Sequence, residues 1–189
     1  MSSKMDRRKK YTRMMLKNSL IKLLKEKPIS SLTVKEICEL ADINRSTFYS
    51  HYTDQFDLLS HIEDDVLNDM QGTLGVYNFN KEEEALQMTV KMLEYIVENQ
   101  EVCQTLLSEN VNADFQNKVM NFAQQFILSG LEDMEKHDQQ VSEYMTVFVV
   151  SGTIHIIKKW LRNGMDQSPQ QLATIINRMT NKGLFNYYK

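Results

Sequence analysis

Proline occurs only twice and glycine six times in 189 residues. So few helix breakers leave long uninterrupted helices open to the chain. Strictly alternating β-branched runs are scarce, while Lys, Glu, Leu, Met and Gln recur, so the expected fold is all-α. No stretch of 18 apolar residues exists, which excludes a membrane-spanning helix. The charged N-terminus lacks the apolar run of a signal peptide. Two cysteines, Cys38 and Cys103, are too few for a disulfide framework. Both sit inside apolar helical patterns and read as packed thiols of a reducing cytosol, which places the protein in the cytoplasm. No Ser-His-Asp or Cys-His set shows itself, so no catalytic residue, no cofactor and no metal is assigned. His61 and Asp65, four apart, offer two ligands, too few to hold an ion, and a solvated face is the better reading.

What is present is charge of opposite sign at the two ends. Residues 1–52 hold twelve Lys or Arg against five Asp or Glu, a net +7. The remainder carries −10, giving −3 overall. A basic head on an acidic body suggests that only the head meets a polyanion. At 42% hydrophobic residues, the chain can build one or two small domains with real cores.

Helical periodicity organises the chain into about nine helices. The first is expected at about 7–27, with Leu16, Leu20, Leu23 and Leu24 as its buried stripe and Pro28 ending it. Thr33 and Glu36 form a capping box for the second, and Leu32 with Ile37 a hydrophobic staple. Ile37, Cys38 and Leu40 are its apolar side, and Asp42 takes the left-handed turn after it. The third helix starts at the N-cap Asn44, with Ile43 and Phe48 as a second staple. Only Phe48 and Tyr52 demand burial there. Arg45, Ser46, Thr47, Tyr49, Ser50 and His51 surround them, as a groove-reading helix requires. The fourth helix begins at Thr53–Asp54 with a stripe of Phe56, Leu59, Ile62, Val66 and Met70, an acidic face that includes Glu63, and loosening at Gly72 and Gly75. Further helices are expected at about 81–98, 100–108, 112–136 (Phe115, Val119, Phe122, Phe126, Leu131) and 141–162. The last of these is apolar nearly all round and stops at Asn163–Gly164. A final helix opens at Ser168–Pro169 with Gln171 completing a capping box.

The segment LTVKEICELADINRSTFYSHYTDQFDLL, residues 32–59, resembles the DNA-binding domain of the TetR family. The segment from Ser151-Gly152-Thr153 through Trp160-Leu161, Asn163-Gly164 and Ser168-Pro169 is similar to the branch related to dihydroxyacetone kinase regulators. The resemblance implies a bacterial transcription regulator with a three-helix helix-turn-helix domain at 1–53. A helical regulatory and dimerisation domain, 54–189, would pair through its last two helices into a homodimer. It implies Thr33 at a phosphate, Asn44, Arg45, Ser46 and Thr47 facing the major groove, and Tyr49 and His51 on the DNA backbone. Three positions depart from the family's pattern. Asp42 replaces the usual turn Gly, and Pro28 stands near the usual Gly after the first helix. Gln55 stands where a Lys commonly touches phosphate, which shifts weight to the basic arm Arg7–Arg13, with Lys10 as a phosphate contact.

Each assignment has a plainer alternative. Arg45 can bond guanine bidentately or simply meet a phosphate. Tyr49 contacts the backbone unless Phe48 points outward, and His51 could cap or pack instead. Met92, Phe122 and His155, one from each of the fifth, seventh and eighth helices, are candidate walls of a ligand pocket. Methionine is also ordinary core filler, and His155 could be a core or interface histidine. The expected function is a dimeric repressor on a two-fold-related duplex operator, released by a small-molecule effector. The alternative is an activator or co-regulator whose body binds a protein partner.

Overall fold

In the computed structural model the structure describes residues 2–77, 82–111, 114–129 and 136–187, with side chains placed for 7–77, 83–111, 115–123 and 143–180. Among the described residues there are nine α-helices and no strand, the all-α fold expected from the scarcity of breakers.

The first helix, α1, spans Ser2–Leu24. Leu16, Leu20 and Leu24 are fully buried, with Ile21 beside them. It ends earlier than Pro28 alone would require. The Lys25 and Glu26 amides reach back three residues, to the Lys22 and Leu23 carbonyls, and this tighter pattern closes the last turn. A 3-10 turn, Ile29–Ser31, leads into α2, Val34–Ala41. The Thr33–Glu36 capping box is present on both sides, and Leu32 and Ile37 are buried as a staple requires. Leu40, expected on the apolar side, is instead exposed. Ile37, Cys38 and Ala41 define the covered arc, and Leu40 falls outside it. Asp42 adopts φ 54 and ψ 46, and the Ile43 amide closes on the Cys38 carbonyl at 3.0 Å.

Helix α3, Arg45–Tyr49, has five residues. Helix α4, Gln55–Leu74, opens with a reciprocal cap. The Asp54 carboxylate accepts from the Phe56 and Asp57 amides, while the Asp57 carboxylate accepts from the Thr53 amide. Leu58, Leu59, Ile62 and Val66 are buried. Two expectations fail here. Phe56 is exposed and Glu63 is buried, so the covered stripe lies one step round from the one drawn through Phe56. The helix also continues through Gly72, which loosens nothing, and the turn comes at Gly75.

The remaining helices are α5 (Glu82–Glu98), α6 (Gln100–Leu106), α7 (Asp114–Ser129), α8 (Lys136–Arg162) and α9 (Pro169–Tyr187). The side chains of Phe126, Leu131 and Met134 lie outside the described residues. The chain divides into two units, Met1–Val66 with Glu101–Phe115, and Leu67–Gln100 with Gln116–Lys189. Within the first, Lys17 of α1 pairs with Asp65 of α4, and Lys27 with Glu36 of α2 at 2.5 Å. Within the second, α5 packs on α9. Buried Asn177 donates to the Thr89 hydroxyl at 3.1 Å, and Thr89 in turn donates to the Ala85 carbonyl at 2.9 Å. Helix α8 stops as expected at Asn163–Gly164. Gly164 takes φ 71, and the Met165 amide reaches the Trp160 carbonyl at 2.8 Å, six residues closed in one ring. The Ser168–Gln171 capping box that starts α9 is also present.

Tyr52, on the turn after α3, is 3% exposed, and among the described residues its hydroxyl has no hydrogen-bond partner. A buried hydroxyl without a partner costs free energy, whereas removing it restores an apolar contact. Tyr52→Phe is therefore expected to leave stability unchanged or to raise it by about 1 kcal/mol. Denaturant unfolding of the two proteins checks this, and a clear destabilisation would show that the hydroxyl is used.

Candidate nucleic-acid interface

A five-residue helix cannot stand by its own hydrogen bonds. Helix α3 is held by one edge. Phe48 is fully buried, and Tyr52 follows on the next turn with its ring 5.8 Å away. Fixing Phe48 inward turns its neighbours outward. Asn44, Arg45, Ser46 and Tyr49 are exposed and Thr47 is half-buried. Tyr49 sits edge-on to Phe48 at 5.6 Å and is 58% exposed, so Phe48 is the aromatic that faces the core. Asn44 occupies the N-cap position, but its side chain makes no capping bond. Its carbonyl takes the Thr47 and Phe48 amides instead, at 2.9 and 3.0 Å. The Asn44 amide is thus not committed to the cap. Arg45 makes no ion pair among the described residues.

Thr33 is exposed at the start of α2, and its hydroxyl donates to Glu36 at 2.8 Å. Glu36 also accepts from the Thr33 amide at 3.0 Å and pairs with Lys27. The Lys27 ammonium first, then the Thr33 hydroxyl and amide, hold the Glu36 carboxyl down to about 2. Lys10 is exposed on α1. His51 is half-buried beside Tyr52. Burial, then the charges of Arg13 and Lys9, push its imidazole below the usual range. Arg13 also acts on Tyr52. The charges of two cations of α1 thus reach the end of α3, and both lie within the basic arm Arg7–Arg13 that the sequence marks. Their spacing of four puts them one helical turn apart on one side of α1.

The model describing the TetR-type transcriptional regulator C-terminal region matches residues 83–182, more than half of the chain. The chain belongs to the TetR family of transcriptional regulators. The family match lies wholly outside residues 32–59, so it is independent of the motif that first suggested it. A Bacillus subtilis (strain 168) protein, YxbF, named as an uncharacterized HTH-type transcriptional regulator, is 38% identical over 60 residues, 32% of this chain. The match spans 15% of that relative's length. Similar solved structures include a TetR transcriptional regulator from Streptococcus agalactiae 2603V. It has a TM-score of 0.67 and 24% identity, over 95% of this chain and 99% of that one. The dihydroxyacetone kinase operon activator DhaS has a TM-score of 0.58 and 20% identity, over 91% and 95% of the two chains. At these identities the likeness to the solved structures carries the fold alone.

The three residues assigned to a regulatory ligand fall in the second unit in different settings. Met92 on α5 and Phe122 on α7 are half-buried. His155 on α8 is exposed, with Nδ1 2.7 Å from the Ser151 carbonyl. His61 and Asp65, weighed as metal ligands, are used otherwise. His61 lies 2.9 Å from the Asp57 carbonyl, and Asp65 pairs with Lys17. No group of three or more His, Cys, Asp or Glu that could hold a metal occurs among the described residues. None of the described helices is long and apolar enough to cross a membrane.

Because the Glu36 carboxyl is held down in the folded chain, its contribution to stability is present above the ordinary carboxylate range. It is lost as pH falls through about 2. The stability gap between wild type and Glu36→Gln is therefore expected to be constant near neutrality and to shrink below about pH 4.5. Unfolding series at several acidic pH values check it, and a gap that does not narrow would remove the ion pair from the account.

Proposed function

We propose that this protein is a transcription regulator that binds duplex DNA as a homodimer, laying α3 in the major groove of each half of a two-fold-related site. The observation that carries the reading is the inward anchoring of Phe48, which leaves Asn44, Arg45, Ser46 and Tyr49 exposed together. In this reading Asn44, Arg45, Ser46 and Thr47 face the base edges, and Arg45 bonds guanine through its fork. Thr33, Tyr49, His51 and Lys10 meet phosphates and set the register. Residues 1–53 read DNA, and 54–189 carry dimerisation and regulation, all within the cytoplasm.

Homodimerisation runs through α8 and α9. Tyr144 and Phe148 are 77% and 81% exposed on α8, and Ile175 and Met179 are exposed on α9. These large apolar side chains need cover, and a four-helix bundle of two protomers supplies it. The regulatory reading is a repressor released by an effector held near Met92, Phe122 and His155. The second reading is an activator or co-regulator whose body binds a protein. It draws on the operon activator among the similar structures and on the same exposed apolar face of α8.

Selecting duplexes from a random-sequence pool tests the DNA reading. The selected site should be two-fold related, and Arg45→Ala should cost about 1–3 kcal/mol and relax one base pair per half-site. Unchanged affinity and preference in that variant would remove the base-reading role. The dimer has its own test at Gly152, where an added Cβ meets nothing within 4 Å in the single chain. Gly152→Leu should keep the fold yet weaken association in sedimentation. A wild type that sediments as a monomer at micromolar concentration would contradict the interface.

A further inference from the structure

Residues 101–115 follow α5 in the chain, yet they belong to the unit that holds α1, α2 and α3. Much of the described part of this segment is buried. Cys103, Thr105, Leu106, Leu107, Val111 and Phe115 are all buried. Polar bonds tie the same segment to the turn between α1 and α2. The Asn110 side-chain amide donates to the carbonyl of Leu24, the last residue of α1, at 2.9 Å. The Asn110 backbone carbonyl accepts the amide of Ile29, the residue after Pro28, at 3.0 Å. One residue thus grips both ends of the Lys25–Pro28 turn. Inside that turn Lys25 pairs with Glu101 at 2.7 Å.

The last carbonyls of a helix have no partner within it, and here Asn110 supplies one from 86 residues away. Past Ile29 only the short 3-10 turn separates the clamp from Thr33 and the start of α2. The direction in which the chain leaves α1 decides where α2 begins, and α2 carries α3. We infer that the DNA-reading unit of this protein is discontinuous, completed by residues 101–115, and that Asn110 is a positioning residue for the α1–α2 turn. This inference rests on the DNA-binding reading above and adds a part to it that residues 1–53 lack.

The clamp makes a distinction that packing alone would not. Asn110→Asp keeps the shape but replaces the N–H donor with a carboxylate facing a carbonyl at the negative end of α1. Asn110→Ala removes the donor and adds no repulsion. If Asn110 only fills space, the Asp variant should behave as wild type and the Ala variant should be the worse. If it positions the turn, the order reverses. Heads with a released turn bind only when correctly set, so apparent affinity falls with the fraction that is set.

The experiment uses full-length wild type, Asn110→Asp and Asn110→Ala at pH 8, with the duplex that wild type selects from a random pool. Dissociation constants are read beside amide hydrogen exchange at Ile29. The expected result is faster Ile29 exchange in both variants, affinity about tenfold weaker for Asp, a smaller loss for Ala, and unaltered sedimentation. Faster exchange with unchanged DNA affinity would overturn the positioning role. Unchanged exchange would overturn the clamp itself. If wild type selects no duplex at all, the DNA reading fails and the functional half of this inference with it. Ile29 exchange then still reports separately on whether residues 101–115 complete the folded unit.

Discussion

The burial of Phe48 is the constraint on which the reading of this molecule depends. Helix α3 has too few residues to persist through its own backbone bonds, so its orientation is that of its one fully buried side chain. With Phe48 fixed inward and Tyr52 anchoring the next turn, the period of the helix sends Arg45, Ser46 and Tyr49 to the surface. The polar residues are therefore displayed as a consequence of where the aromatic ones are hidden. The same economy explains the sparse hydrogen bonding around α3. Asn44 leaves its side chain out of the cap, which keeps an amide uncommitted at the edge of the presented face.

Around that anchor, the first unit is fastened by reciprocal polar contacts at helix starts and by ion pairs that link α1 to α4 and the turn after α1 to α2 and α6. Several of the basic side chains have a defined use. Lys17, Lys25 and Lys27 are neutralised by Asp65, Glu101 and Glu36. The charges of Arg13 and Lys9 add to burial in lowering the pKa of the His51 imidazole at the end of α3. In the second unit, cohesion comes from α5 against α9, with Asn177 and Thr89 pairing inside that contact, while a row of large apolar side chains on α8 stays uncovered in the single chain.

Features encoded by neighbours in the chain were legible in the sequence. The Thr33–Glu36 and Ser168–Gln171 boxes, the left-handed Asp42, and the stop at Asn163–Gly164 each need only a few adjacent residues, and all are found. The inward Phe48 and Tyr52 followed from the helical period alone. What depends on distant cover was not legible. Leu40 and Phe56 are apolar in helical register yet exposed, and Glu63 is acidic yet buried, because other elements decide which arc of a helix is covered. Gly72 reads as a breaker, but one glycine costs a helix only about 1 kcal/mol, and α4 runs on through it. The attachment of residues 101–115 to α1 is carried by Asn110 across 86 residues, a separation no local pattern reports. Among the proposed DNA contacts, the residues of α3 followed from the motif, while the action of Lys9 and Arg13, both within the basic arm, on His51 depends on where α1 lies beside α3.

The central claim is that the basic residues 1–52 meet the backbone of duplex DNA while α3 reads it. The most direct measurement is the affinity of the full-length protein for a selected duplex and for a scrambled one across a range of salt concentrations. Each neutralised phosphate contributes about −0.9 to the slope of log affinity against log salt. The account predicts a steep slope, about −4 or steeper, for both duplexes, with the selected one bound more tightly throughout. Affinity that does not respond to salt, or equal affinity for the two duplexes at every concentration, would contradict it.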